Sequence, residues 1–165
     1  MKRTKRAGVG GTPATVALAA AGIEFELRSY PHDPRAPSFG LEAAEALGVP
    51  PDRAFKTLMA DAAGRLVVGI VPVDRQLDLK ALARAVGVAR ATMAELAAAE
   101  RATGYVAGGI SPIGQRRTHQ TVLDESALEH EHILVSGGRR GLDLELAPAA
   151  LIAATGATTA AISRA

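Results

Sequence analysis

Residues 66–73, Leu-Val-Val-Gly-Ile-Val-Pro-Val, form an almost unbroken apolar run. A half-buried strand would alternate between core and water, so this run predicts a strand buried on both faces. Residues 55–60 read as its partner, joined to it around Ala63-Gly64. A strand covered on both sides needs other elements to cover it, and the flanking segments carry helix signals. Thr12 followed by Pro13 supplies a hydroxyl cap and a ring preset for the first turn, and Gly22 closes that helix. Residues 39–47 form a short helix stopped by Gly48. Asp78 opens a third helix with Leu79, Leu82 and Val86 on one side, ended by Gly87. Residues 93–102 are expected to be helical, and Pro148 opens a last, Ala-rich helix.

Other strands show the period-two pattern. Ile23, Phe25 and Leu27 alternate with Glu24, Glu26 and Arg28, and Tyr30-Pro31-His32-Asp33-Pro34 ends that stretch with turn chemistry. Leu142, Leu144 and Leu146 face one way, Asp143 and Glu145 the other, after an apolar strand over 133–135. Short strands mixed irregularly with helices predict a compact α/β or α+β fold. The 165 residues show no linker, repeat or Rossmann-type alternation, so one domain is expected over 12–165, behind a basic flexible tail over 1–11.

Composition narrows the function. Hydrophobic residues at 48% and charged residues at 22% exclude a disordered chain. There is no cysteine, which removes disulfides, thiolate metal sites and a cysteine nucleophile and suits a reducing cytoplasm. Aromatics at 3% argue against a stacking platform for single-stranded nucleic acid. A net charge of +2 permits contact with a polyanion without requiring it. Lys2, Arg3, Lys5 and Arg6 ahead of Val16-Ala17-Leu18-Ala19-Ala20-Ala21 loosely imitate a signal peptide, but Thr12-Pro13 makes a helix start the better reading. The basic stretch is a solvated tail or an auxiliary polyanion contact. No apolar run of ~20 residues exists, so no membrane span is expected.

Two glycine-rich stretches are candidates for chemistry: Gly108-Gly109-Ile110-Ser111-Pro112-Ile113-Gly114 after Tyr105, and Ser136-Gly137-Gly138-Arg139-Arg140-Gly141. Each reads either as a tight connection between strands or as exposed N–H groups around a carbonyl oxygen or phosphate. Neither matches a P-loop or a dinucleotide fingerprint. Lys56 starts an apolar strand, where it either snorkels to the surface or meets an ester or phosphate oxygen in a cleft. His130 and His132, with Glu129 and Glu131, read as a polar turn or as metal ligands. His32 and His119 have no partner in the sequence, and no serine pairs with a histidine and an aspartate.

Taken in order, the motifs resemble the YbaK/EbsC family of Cys-tRNA(Pro) deacylases, relatives of the editing domain of prolyl-tRNA synthetases. They are Thr12-Pro13-Ala14, Tyr30-Pro31-His32-Asp33, Ser38-Phe39-Gly40-Leu41-Glu42, Phe55-Lys56-Thr57-Leu58, Pro72-Val73 with Gln76-Leu77-Asp78-Leu79-Lys80, the stretch from Thr103-Gly104-Tyr105 to Gly114, and Val135 to Leu142. Arg116-Arg117-Thr118-His119-Gln120 departs from the basic segment of that family. The resemblance implies a central, partly closed mixed β-sheet or barrel surrounded by helices, with a substrate cleft between. It implies removal of Cys from tRNA(Pro), because small apolar differences let a synthetase discriminate by only ~10–200-fold. By motif, Lys56 is the residue required for activity, and Tyr30, Gly108, Ser136 and Asp143 line the pocket. Tyr105, Gly109 and Gly137 beside them complete the expected substrate-binding set. The substrate's own thiol is expected to attack the ester and release a thiolactone. No metal or cofactor is implied. The expected partners are aminoacyl-tRNA and prolyl-tRNA synthetase, with no membrane and no DNA, in the cytoplasm. The rival expectations are a module that binds aminoacyl-tRNA or a synthetase without cleaving it, and a deacylase for another small amino acid such as Ala or Ser.

Overall fold

The computed structural model describes residues 11–165. The basic stretch Lys2, Arg3, Lys5 and Arg6 lies outside the described residues. Helix α1 (Pro13–Ala20) begins as its sequence directs: Thr12 accepts from the Thr15 backbone N–H, and the Thr15 hydroxyl accepts in return from the Thr12 N–H. Strand β1 (Glu26–Ser29) precedes helix α2 (Phe39–Leu47), which Ser38 caps and Gly48 ends. A 3₁₀ turn (Pro51–Arg53) leads into β2 (Phe55–Ala62) and β3 (Arg65–Pro72). Then come β4 (Gln76–Leu77), α3 (Leu79–Val86) with Asp78 as its cap, β5 (Ala91–Met93) and α4 (Leu96–Thr103). After a long loop follow β6 (Gln120–Asp124), a second 3₁₀ turn (Glu125–Glu129), β7 (Ile133–Arg139) and β8 (Leu142–Leu146). Helix α5 (Pro148–Thr155), β9 (Thr158–Ala160) and β10 (Ser163–Arg164) complete the chain.

A five-stranded mixed sheet runs β5-β2-β3-β6-β9, with β3, β6 and β9 parallel and the other pairs antiparallel. A three-stranded antiparallel sheet runs β1-β8-β7, and β4 pairs with β10. A single parallel bridge, Ala54 to Leu134, joins the two larger sheets. They do not close into a barrel. Strand β5 pairs only with residues 60–62 of β2, so residues 55–58 have a strand partner on the β3 side alone.

Strand β3 is buried on both faces as its apolar run predicts, and its alternation feeds two different cores. Val68 and Ile70 pack with Leu18, Leu123, Leu144 and Leu151. Val67 and Val71 turn the other way, onto Leu77, Leu82 and Ile162. Three expectations change. Strand β1 begins at Glu26, later than the alternation from Ile23, because its only ladder is with β8 and that register starts at Glu26 opposite Glu145. Residues 93–102 are not one helix: residues 91–93 pair with β2, and α4 starts at Leu96. Here the open edge of β2 outweighs a local preference for helix. The second glycine-rich stretch is mostly strand, since β7 runs through Gly137 and Gly138 to Arg139 with a bulge after Ser136.

Candidate active site

The unpaired half of β2 forms one wall of a cavity of about 430 Å³. The start of α2, the Gly108 loop and the Ser136 and Asp143 faces of β7 and β8 form the rest. Of the site residues expected from the sequence, Lys56, Tyr30, Gly108, Ser136 and Asp143 all line this cavity. Tyr105, Gly109 and Gly137 do not line it. Tyr105 is buried, and its hydroxyl donates to the Ile113 carbonyl at 2.6 Å.

The two glycine-rich stretches serve each other. Gly108 has φ +81°, and a Cβ there would stand 2.9 Å from both the Arg140 Nε and the Phe39 ring. A Cβ on Gly109 would stand 2.8 Å from the Arg139 Cα. Arg140 donates to the Ala107 carbonyl at 2.8 Å and lies 5.1 Å from the Phe39 ring centre. The glycines therefore let one loop seat against the β7–β8 hairpin and close one end of the cavity.

Lys56 follows Phe55 on the free edge. Burial pushes its ammonium below the ordinary lysine value, and the carboxylate of Asp74 opposes that shift. Among the described residues the ammonium makes no hydrogen bond or ion pair. Asp143 is only 8% exposed. Burial pushes its carboxyl up to about 7, although Arg28 pulls the other way. Burial, the Asp143 charge and Glu42 together raise the Tyr30 hydroxyl to about 12, against a hydrogen bond from Gly141, so it stays protonated. Thr57 is the residue the sequence reasoning missed. Its Oγ1 is buried in the cavity wall without a hydrogen-bond partner. A hydroxyl set among apolar neighbours beside Lys56 was the available signal.

No histidine lines the cavity. His32 Nδ1 lies 2.9 Å from Glu42, and His119 Nδ1 lies 2.7 Å from Gln115. His130 edges a separate hollow of about 290 Å³. Among the described residues, no group of three or more His, Asp or Glu is placed to hold a metal. The Ser136 hydroxyl accepts from the Gly138 N–H at 3.2 Å, and the Ser38 hydroxyl caps α2. Ser136 stands opposite Asp143 on the β7–β8 ladder, but no hydrogen bond joins the two, and no base is hydrogen-bonded to Ser38. What the cavity offers is one cation, one buried carboxyl and polar backbone, an arrangement suited to orienting an ester and stabilising its carbonyl oxygen.

Comparison with known proteins agrees with this geometry. The aminoacyl-tRNA editing domain family matches residues 34–154. A relative from Enterococcus faecalis, named EbsC and described as a candidate Cys-tRNA(Pro)/Cys-tRNA(Cys) deacylase, is 42% identical over 122 residues. That match covers 73% of this chain and 74% of the relative. The crystal structure of a candidate trans-editing enzyme for prolyl-tRNA synthetase superposes with a TM-score of 0.83 at 25% identity, covering 93% of this chain and 96% of the other. A second crystal structure, of a protein described only as hypothetical, gives 0.81 at 27% identity and covers 92% and 99%. With the family match spanning most of the sequence and enclosing the cavity walls from α2 to β8, the chain belongs to the aminoacyl-tRNA editing domain family.

Proposed function

We propose that the protein is a deacylase that removes Cys from mischarged tRNA(Pro), with Lys56 as its catalytic residue. The observation that carries this is a partly desolvated ammonium without a hydrogen bond or ion pair, in a cavity where no hydroxyl is hydrogen-bonded to a base. An aminoacyl ester is already activated, so its cleavage needs orientation and charge stabilisation more than a triad. The nucleophile comes from the substrate. Its thiol sulfur bonds to the ester carbonyl carbon, the bond from that carbon to the ribose oxygen breaks, and the thiol proton ends on the ribose hydroxyl. A thiol with a pKa of about 8.5 supplies thiolate at neutral pH, whereas a serine hydroxyl needs a base hydrogen-bonded to it. Tyr30, Gly108 and Ser136 shape the walls. Prolyl-tRNA synthetase is the partner that would supply the tRNA in the cytoplasm. No described helix is long and apolar enough to cross a membrane.

Single-turnover deacylation at saturating enzyme tests the proposal, with Cys-tRNA(Pro), Ser-tRNA(Pro), Ala-tRNA(Pro) and Cys-tRNA(Cys) as substrates. The Cys esters should be cleaved far faster than the nearly isosteric Ser ester. Equal rates for Cys and Ser would exclude the thiol route, and intact Cys-tRNA(Pro) would overturn the activity itself.

A further inference from the structure

Asp143 is a buried carboxyl without a hydrogen-bond partner. It sits on the central strand of the β1-β8-β7 sheet, facing Arg28 on one side and Ser136 on the other. Neither satisfies it. The Arg28 guanidinium is committed to Glu145 and to the Leu47 carbonyl, at 3.2 Å for the latter. The Ser136 hydroxyl accepts from the Gly138 N–H and makes no hydrogen bond to Asp143. Among the described residues no donor hydrogen-bonds to the Asp143 carboxyl, which is nonetheless part of the cavity wall. Leaving a buried carboxyl unpaired costs stability, and a ligand that supplies the missing donor recovers that cost.

The chemistry of the missing donor follows from the deacylase reading, on which this inference rests. An aminoacyl ester carries one cation, the α-ammonium, one carbon away from the carbonyl that is cleaved. Lys56 cannot receive it, because the charges are alike. We propose that Asp143 receives the α-ammonium of the aminoacyl ester, so that the site accepts esters of free amino acids and rejects N-acylated ones, peptidyl esters included. Two opposite charges on two walls then fix the direction of the substrate. The ammonium turns to β8 and the carbonyl oxygen turns to the free edge of β2. With burial holding the empty carboxyl near neutrality, arrival of the ammonium draws it into the ionised form. An acylated nitrogen carries no charge and would leave the carboxyl buried and unmatched, the arrangement by which sites reject analogues most strongly.

The test uses 3′-(cysteinylamino)-3′-deoxyadenosine, in which an amide replaces the ester, and its Nα-acetyl form. Calorimetric titration of the wild-type chain should show a preference of ~10²-fold or more for the free amine. Asp143→Asn should bind the acetyl form as before and lose the preference. Equal binding of both forms to the wild type, or no measurable binding of either, would overturn the proposal, and that arm does not depend on the variant folding. A variant that weakens both forms alike would also overturn it, and would assign Asp143 to the ribose, the base or an attacking water. Deacylation of Cys-tRNA(Pro) is followed separately. A chain that prefers the free amine through Asp143 but leaves the tRNA ester intact would refute the deacylase reading and keep this one.

Discussion

Asp143 and Glu145 stand two residues apart on the same face of β8, in the repeating stretch Leu142-Asp143-Leu144-Glu145-Leu146. Locally they are equivalent. In the fold they are opposites. Glu145 is held by Arg28 from β1 and by Arg53 at 3.1 Å from the 3₁₀ turn before β2. Burial alone would raise its carboxyl, but these two guanidinium groups bring it below the ordinary value. Asp143 faces the cavity, receives no hydrogen bond, and is pushed up to about 7. The same strand thus carries a carboxylate that holds the sheet to its neighbours and a carboxyl that faces the cavity without a hydrogen bond. The difference teaches that partner supply, set by neighbouring strands, sends two locally equivalent acids in opposite directions.

The sharpest way to test that division is to remove charges at the cavity end. Lys56→Ala should lower single-turnover deacylation by ~10²–10³ if the ammonium stabilises developing negative charge. Its melting temperature should change little, because the ammonium makes no hydrogen bond or ion pair among the described residues. A folded variant with wild-type rates would break the comparison at its functional end.

At the other end, Glu145→Gln should do the reverse. It weakens the hold on two half-buried guanidinium groups, with an expected loss of about 1–2 kcal/mol in denaturant titration. The intrinsic cleavage step at saturation should change little. Between the two lies Thr57→Val, which removes a buried hydroxyl without a partner. It should stabilise the chain by about 1 kcal/mol while lowering kcat/KM for Cys-tRNA(Pro). A destabilised Thr57→Val variant with full activity would show that the hydroxyl is satisfied within the protein.

The sign of the pH dependence separates the two acids. A carboxyl raised by folding stabilises relative to higher pH below its unfolded value, and that stability is lost as pH rises through about 7. Asp143→Asn should therefore gain in melting temperature over the wild type from about pH 4 to pH 7. Glu145, lowered by folding, contributes stability above its unfolded value that is lost on acidification. Glu145→Gln should thus be most damaging at neutral pH and nearly harmless in acid. Parallel curves for the two variants would remove the distinction.

Much of the local structure was legible from residue pattern. Thr12, Ser38 and Asp78 cap the helices they precede, because a short oxygen-bearing side chain reaches its own backbone N–H groups whatever surrounds it. The buried character of β3 was equally plain, since an apolar run admits no solvent face. The short strands β4, β6, β9 and β10 were not. Each is stabilised by a partner distant in sequence, as β6 is by β3 and β9, and carries little preference of its own. For the site, Lys56 and Asp143 were visible as charges in apolar strands, and the family resemblance put both in one pocket, which residue pattern alone did not.

Sequence by itself determined where the helices capped by Thr12, Ser38 and Asp78 begin, which strand is buried on both faces, and that no cysteine of the chain takes part in the chemistry. These depend on short-range geometry, apolar content and composition. Tertiary structure alone decided that β5 stops pairing at residue 60, that the two glycine-rich stretches seat on one another, and that Arg28 leans to Glu145 and away from Asp143. Those outcomes depend on which strand edge meets which, and on which carboxylate the nearest guanidinium reaches.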